Sequence, residues 1–74
     1  MAGVAKVIQL VGTSDQSFSD AVRVAVSEAS KTLRGISGVD VVASTAEVSD
    51  GEISNYRVTV NVAFNLERGD DAGS

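Results

Sequence analysis

The chain has 74 residues and a net charge of −4, and it contains neither His nor Cys. The missing residue types exclude a disulfide, a thiolate zinc site and the commonest general base. The acidic charge argues against nucleic-acid binding, and no apolar run approaches the ~20 residues of a membrane span. The first residues lack the features of a signal peptide. We therefore expect one small cytoplasmic domain at residues 1–68 and a disordered acidic tail at 69–74.

The first predicted element is a strand from Val4 to Val11, a run rich in β-branched residues that Gly12 ends. Gly12-Thr13-Ser14 then precedes a helix, and backbone N–H groups at a helix start can bind a phosphate. The segment lacks the spacing of a P-loop, so we favour a turn and a helix cap over a phosphate site.

The second predicted element is a helix that begins after Ser17. Ser17 with Asp20 three residues later is typical of a capping box, in which two side chains cap the helix start. Lys31 and Arg34 in the last turn complement the helix dipole, and Gly35 is the expected stop. The apolar residues between them recur with helical spacing and predict one apolar stripe. They are Phe18, Ala21, Val22, Ala25, Val26, Ala29 and Leu33.

Two further strands are predicted, and Asp50-Gly51 is a strong signal for a two-residue hairpin turn between them. Strand two runs from Val39 to Val48. Strand three runs from Tyr56 to Glu67, where apolar residues occupy every even position up to Leu66. A period of two indicates one buried face and one polar face.

The hairpin turn predicts a register that brings the apolar residues of both strands to one face. The pairs expected on that helix-facing side are Val39–Val62, Val41–Val60, Ala43–Val58 and Thr45–Tyr56. The pairs expected on the opposite face are Gly38–Ala63, Asp40–Asn61, Val42–Thr59, Ser44–Arg57 and Ala46–Asn55. In this register Tyr56 and Phe64 belong to the core.

The order of elements predicts an α+β fold of the β-α-β-β type. A right-handed crossover makes strands one and two parallel, and strand three lies between them, antiparallel to strand two. The three-stranded mixed sheet then wraps one helix with its apolar face. The other face carries Val42 and Val48 among polar residues, and apolar exposure on so short a chain predicts self-assembly.

Several segments, taken in order, carry a resemblance to a known family. They are Leu10 to Ser14, Ser17 with Asp20 and Ala21, Ala29 to Arg34, Tyr56 to Val60, Val62 to Phe64, and Leu66-Glu67. Over about residues 5–67 the chain resembles the dodecins, a family of small flavin-binding proteins. The resemblance implies a hollow homododecamer with 23 symmetry that binds flavins in antiparallel pairs near the threefold axes. Such shells store or shield flavin and do not turn it over.

The implied flavin site departs from the family pattern at two positions. Typical dodecins carry a Trp that enters strand two and stacks on the isoalloxazine ring, and Gly38 stands at the matching position. They also carry a Gln early in strand three that hydrogen-bonds the uracil-like edge of the flavin, and Arg57 stands there. The predicted register independently places both positions on one sheet face. The candidate flavin-binding residues are Gly38, Val39, Ser44 and Arg57.

These two changes lead to two functional hypotheses. Aromatic stacking contributes roughly 1–3 kcal/mol, and Arg57 cannot accept a hydrogen bond from the flavin N3–H. We expect storage or sequestration of riboflavin or FMN with weakened affinity. The alternative is a structural shell that binds ions or a non-flavin ligand. Arg57 would then form an interfacial ion pair, with Asp40 or with Glu47 of a neighbouring subunit, and Gly38 would serve the bend that enters the strand.

The acidic residues allow a cation site on a symmetry axis, where one carboxylate repeats around the axis, although a solvated acidic surface is the simpler interpretation. They are Asp15, Asp20, Glu28, Asp40, Glu47, Asp50 and Glu52. Twelve chains at −4 each carry about −48, so we expect assembly to weaken at low ionic strength unless cations or interface pairs compensate. No nucleophile elbow, Ser-His-Asp set or metal triad is recognisable, and we expect no enzymatic activity.

Overall fold

The computed structural model of the protein describes residues 3–66, and the predicted tail at 69–74 lies outside them. The elements are β1 (Ala5–Ser14), α1 (Phe18–Ser30), β2 (Ile36–Ser49) and β3 (Glu52–Asn65). The sheet order is β1-β3-β2, and both outer strands run antiparallel to β3. This arrangement confirms the predicted β-α-β-β fold with the third strand at the centre.

Strand β1 does not end at Gly12 as expected, because it continues to Ser14, which pairs with Tyr56 of β3. Gly12 is buried where α1 crosses the strand. A Cβ atom there would lie 2.5 Å from the Ala21 carbonyl oxygen and 2.9 Å from the Ala25 Cβ. The glycine therefore allows a close approach of the helix and does not mark a turn. The predicted loop at Gly12-Thr13-Ser14 is part of the strand, with no phosphate-binding turn.

The helix begins where the sequence predicts it. The Ser17 Oγ accepts a hydrogen bond from the Asp20 N–H at 2.9 Å, which confirms Ser17 as the N-cap. The Asp20 carboxylate accepts a hydrogen bond from the Ser14 Oγ at 2.7 Å, so the capping box is only half formed. This contact ties the end of β1 to the first turn of α1.

The helix ends earlier than predicted. Its last residue is Ser30, and Lys31 is the C-cap, so neither Lys31 nor Arg34 lies in the last turn. Gly35 has a φ of +71°, but it follows the helix by several residues, and its carbonyl accepts a hydrogen bond from the Asn65 N–H at 3.0 Å. Gly35 therefore belongs to the turn that leads into β2 and does not end the helix. Within residues 3–66 no helix is long and apolar enough to cross a membrane.

The core is made of small side chains from α1 and β3. Its buried members are Ala21, Ala25, Ala29, Val58, Val60 and Val62. The alanines allow the helix to lie close to the sheet, chiefly over β1 and β3. Tyr56 and Phe64, expected in the core, are only half-buried and do not belong to this cluster. The Tyr56 ring meets the Phe18 ring edge-on, with centroids 4.9 Å apart.

The β2–β3 hairpin turns at Asp50-Gly51 as predicted. The φ values of 53° and 78° at these residues are those of a type I′ turn, which matches the twist of paired strands. Ser49 pairs with Glu52, and the far end of the hairpin keeps the predicted register. The confirmed pairs there are Gly38–Ala63, Val39–Val62, Asp40–Asn61 and Val41–Val60.

The middle of the hairpin differs from the prediction by one residue. A bulge between Val41 and Ala43 shifts the pairing, and a second irregularity between Glu47 and Val48 restores it. The pairs formed are Ala43–Thr59, Ser44–Val58, Thr45–Arg57, Ala46–Tyr56 and Glu47–Asn55. The predicted partners of Val42, Ala43, Ser44, Thr45 and Ala46 are therefore wrong. The two irregularities shift the pairing in opposite directions. The turn and the far end of the hairpin therefore pair as predicted, although the residues between them do not.

Candidate functional site

The candidate site lies on the outer face of the sheet, which we define as the face opposite α1. Buried Val58, Val60 and Val62 of β3 face the helix, so the odd positions of this strand and their cross-strand partners form the outer face. Gly38, opposite Ala63, and Arg57, opposite Thr45, both belong to it. The prediction that positions 38 and 57 share a face is confirmed.

One end of the outer face contains an open depression of about 340 Å³. Its lining residues are Val7, Gly38, Val39, Asp40, Asn61 and Ala63. Gly38 forms part of the floor, and a Cβ added there would meet no atom of residues 3–66 within 4 Å. Asn61 is oriented by the Gln9 side-chain amide, which donates a hydrogen bond to the Asn61 Oδ1 at 3.1 Å. The depression thus combines small and apolar residues with one amide and one carboxylate.

Arg57 lies at the centre of the other end of the outer face. The strand register places it between Thr13 of β1 and Thr45 of β2. The Arg57 Nη2 donates a hydrogen bond to the Glu47 Oε2 at 3.2 Å, and the two side chains are 48% and 57% exposed. An ion pair with Glu47 was one expectation for Arg57, but the partner is the Glu47 of the same chain.

Ser44 does not stand beside Arg57. The bulge pairs Ser44 with Val58, a buried residue that faces the helix, and brings Thr45 opposite Arg57. The structure therefore separates Ser44 from the outer face on which Gly38 and Arg57 lie. Val39, the fourth candidate, pairs with buried Val62 and also belongs to the helix-facing side, although it borders the depression. The sequence contained no local signal for this change, because Val41 and Val42 are consecutive apolar residues that fit either register.

The two candidate regions are well separated within one chain. Ala63, the partner of Gly38, is six residues from Arg57 along β3, which corresponds to roughly 20 Å. One fused-ring ligand cannot contact both regions of the same subunit. A ligand that contacts both must lie between two copies of the chain.

Some residues of the depression and of the Arg57 region were not among the site residues predicted from the sequence. Val7, Asn61 and Ala63 line the depression, and Glu47 holds Arg57. The signal that could have found Asn61 and Ala63 was the predicted register itself, since they stand opposite Asp40 and Gly38. In the described part of the chain, acidic residues do not gather into any group of three that could hold a metal ion.

The chain is similar to dodecins along most of its length. A sequence model of the family described as Dodecin matches residues 4–67. The dodecin of Thermus thermophilus is 33% identical over 67 residues, which cover 90% of this chain and 97% of that protein. The structure of dodecin from Streptomyces coelicolor superposes with a TM-score of 0.85 at 33% identity, covering 89% of this chain and 94% of that chain. A calcium-chelating antigen of Mycobacterium tuberculosis, named calcium dodecin, superposes with a TM-score of 0.75 at 32% identity, over 86% of this chain and 91% of that chain.

Proposed function

The chain belongs to the dodecin family, and from this premise we propose that it is a small-molecule binding protein that sequesters flavin in a cytoplasmic homododecamer. Flavin binding is typical of the family. In this proposal the flavin ring, from riboflavin or FMN, lies on the outer face of the sheet. The protein binds and shields the ring and performs no reaction on it.

The observation that carries the proposal is the open depression around Gly38. Its volume of about 340 Å³ lies within the ~300–1,000 Å³ of ordinary small-molecule sites. Gly38 and Ala63 present almost no side chain, so a flat ring can rest close to the backbone of the sheet. Val7 adds an apolar wall that is 55% exposed, and Asn61 and Asp40 offer polar groups to the ring edge.

An assembly of several copies would complete this site. A single outer face covers only one side of a bound ring, and a partner copy would cover the other. The chain also leaves large apolar side chains open along the hairpin: Val39, Val41, Val48 and Ile53. A chain of this size buries little surface alone, so these residues gain most from association.

A second candidate function is cation binding by a shell of the same fold, and the observation that favours it is the relative named calcium dodecin. Within residues 3–66 a single chain brings no three carboxylates together. A cation site would therefore need the same carboxylate from several copies around a symmetry axis. Its stoichiometry would be one ion per two or three subunits.

The test is a titration of riboflavin and FMN against the purified protein, with flavin fluorescence and oligomer size measured together. Quenching that saturates near one flavin per subunit is expected. An intact oligomer that quenches neither flavin would overturn the proposal. Calcium titrated calorimetrically into chelator-treated protein separates the alternative, which requires heat that saturates at a fraction of one ion per subunit.

A matched pair of variants locates the site. Ala63→Leu fills the floor of the depression and should abolish quenching. Ala43→Leu makes the same change on the same face but outside the depression, and it should leave binding within about twofold of the parent, as a surface change away from the ligand. Equal effects of the two variants would place the flavin elsewhere.

A further inference from the structure

The β2–β3 hairpin extends beyond the rest of the sheet as an arm of two strands. Strand β1 ends at Ser14, opposite Tyr56, whereas the pairing of β2 with β3 continues to Ser49 and Glu52. The part beyond β1, residues 47–55, is the hairpin arm, and at ~3.4 Å per residue it projects by roughly 14 Å. The molecule is accordingly 58 Å long but only 20 Å and 13 Å across. A two-stranded hairpin is marginally stable by itself, so the arm gains from a partner.

The end of the hairpin arm carries apolar and acidic side chains together. Val48 and Ile53 pair with each other and are 66% and 49% exposed. Asp50 and Glu52 lie next to them, are exposed, and form no ion pair with any residue of 3–66. We call these four residues the acidic tip. An exposed apolar pair beside two unpaired carboxylates suits a partner surface that is both apolar and basic.

The cations of the chain are distributed in a matching way. Arg23, Lys31 and Arg57 each form an ion pair with an acidic residue of the same chain. In the part of the chain that the structure describes, Lys6 and Arg34 form none, and both are exposed. The cations without a partner are therefore these two.

The two unpaired cations lie at the end of the sheet far from the acidic tip. Lys6 belongs to β1 and Arg34 to the loop that leads into β2, and both strands meet β3 there at Phe64. Beside them Val4 and Leu66, which are joined by a backbone hydrogen bond of 3.1 Å, are 58% and 46% exposed. We call Val4, Lys6, Arg34 and Leu66 the basic end. It presents an apolar pair beside two cations, as the acidic tip presents an apolar pair beside two carboxylates.

We propose that the acidic tip of one copy of the chain docks on the basic end of a second copy. Glu52 and Leu66 are separated by roughly 45 Å of extended chain, so the two surfaces of one copy cannot meet each other. Each copy offers both surfaces, which makes the contact heterologous, and such a contact repeats around a ring when the rotation between copies closes. The inference goes beyond the proposed function, because the contact needs no ligand.

Charge reversal at the acidic tip tests the contact. Glu52→Lys places a cation against the basic end and should raise the protein concentration at which the oligomer dissociates about tenfold, measured by analytical ultracentrifugation. The sign of the effect is diagnostic. The substitution replaces −1 with +1, so the net charge falls from −4 to −2 per chain, and general repulsion alone would make assembly stronger. Assembly of Glu52→Lys that is unchanged or stronger would overturn the inference and leave flavin sequestration untouched.

Reversing the partner charge should restore assembly. Lys6→Glu alone should weaken assembly, and Glu52→Lys/Lys6→Glu should recover most of the loss, because the pair is re-formed with opposite signs. The matched control is Glu52→Lys/Arg23→Glu, which has the same net charge. Arg23 is 71% exposed on α1 and belongs to neither surface, so this control should recover nothing. Equal recovery in the two double variants would mean that net charge governs assembly and would overturn the contact.

Cross-linking tests the same contact without changing any charge. The chain contains no Cys, so a short bismaleimide reacts only with thiols that are introduced. The variant with both Val4→Cys and Val48→Cys should form covalent multimers larger than dimers, and neither single variant should cross-link. Dimers from Val48→Cys alone would mean that two tips meet each other, which overturns the inference. If residues 67–74 of the same chain occupied the basic end instead, the double variant would give no multimers, and the inference would again be wrong.

Discussion

The helix-facing side of the sheet is divided into a covered half and an uncovered half that differ in burial and not in residue type. Val60 of β3 is fully buried under α1. Val41 of β2 pairs directly with Val60 on the same face, yet it remains 47% exposed. The helix packs chiefly on β1 and β3 and leaves β2 largely uncovered.

The comparison teaches that the position of the helix decides burial here. Gly12 and the alanines of α1 bring the helix onto β1 and β3, and the chain completes that half of its core by itself. The uncovered half carries Val39 and Val41, which remain 38% and 47% exposed. The covered half is therefore a complete core within one chain, and the uncovered half is an apolar surface that another copy of the chain could cover.

The largest effect should come from breaking the covered half at Gly12. Gly12→Ala places a Cβ 2.5 Å from the Ala21 carbonyl oxygen, so the helix must move away from the sheet. We expect a loss of about 3 kcal/mol in the free energy of unfolding, as for an overpacked core. Urea denaturation at one fixed protomer concentration measures it, because association shifts the apparent stability.

The matched control is Gly38→Ala, where the added Cβ meets open space. It should change the free energy of unfolding by less than about 0.5 kcal/mol, as surface substitutions do. A similar loss for both glycines would mean that backbone freedom, and not helix contact, governs Gly12.

The next effect separates the paired valines. Val60→Ala leaves a cavity in the finished core and should lower the free energy of unfolding by about 2 kcal/mol. Val41→Ala removes the same atoms from the uncovered half. We expect it to raise the protein concentration at which the oligomer dissociates while the circular dichroism of the subunit stays the same. Analytical ultracentrifugation over a concentration series checks this, and unchanged assembly of Val41→Ala would show that no copy covers β2.

A smaller effect concerns ligand affinity on the outer face. Gly38→Trp adds a ring to the open floor of the depression, where nothing lies within 4 Å of the new Cβ. Stacking of an aromatic ring contributes roughly 1–3 kcal/mol, so flavin affinity should rise about tenfold. Gly38→Leu fills the same floor without a ring on which the flavin can stack, so it should weaken binding, as Ala63→Leu does. Equal effects of the two Gly38 variants, measured by fluorescence titration, would mean that the flavin does not stack at this position.

The fold was predictable because its signals are local. The alternation in β3, the Ser17 cap and the Asp50-Gly51 turn each need only a few adjacent residues, and all three are confirmed. Gly12 was misinterpreted because a glycine that ends a strand and one that admits a helix look alike in sequence. The contact between Gly12 and α1 determines which strands the helix covers. No local sequence pattern predicts such a tertiary contact.

The candidate site was predictable only in part. Register placed Gly38 and Arg57 on one face, and that is confirmed. The bulge that moves Ser44 away from Arg57 has no sequence signature, because an extra residue in one strand is hidden by a second irregularity nearer the turn. Asp40 and Glu47 of a neighbouring copy were the alternatives for an ion pair of Arg57, and the pair with Glu47 of the same chain was not predicted, since the predicted register did not place those two side chains next to each other.

The smallest effect tests the tip of the uncovered hairpin. Gly51 has a φ of +78° with open space around it, so Gly51→Ala adds backbone strain without a clash. We expect a loss of about 1 kcal/mol in the free energy of unfolding, and no change for Asp50→Asn, because Asn tolerates the left-handed conformation. Urea denaturation alongside Gly12→Ala provides the comparison. Gly51→Ala could instead lower the free energy of unfolding as much as Gly12→Ala does. The tip of the β2–β3 hairpin would then contribute to stability as strongly as the covered half, and the division of the sheet into two unlike halves would be wrong.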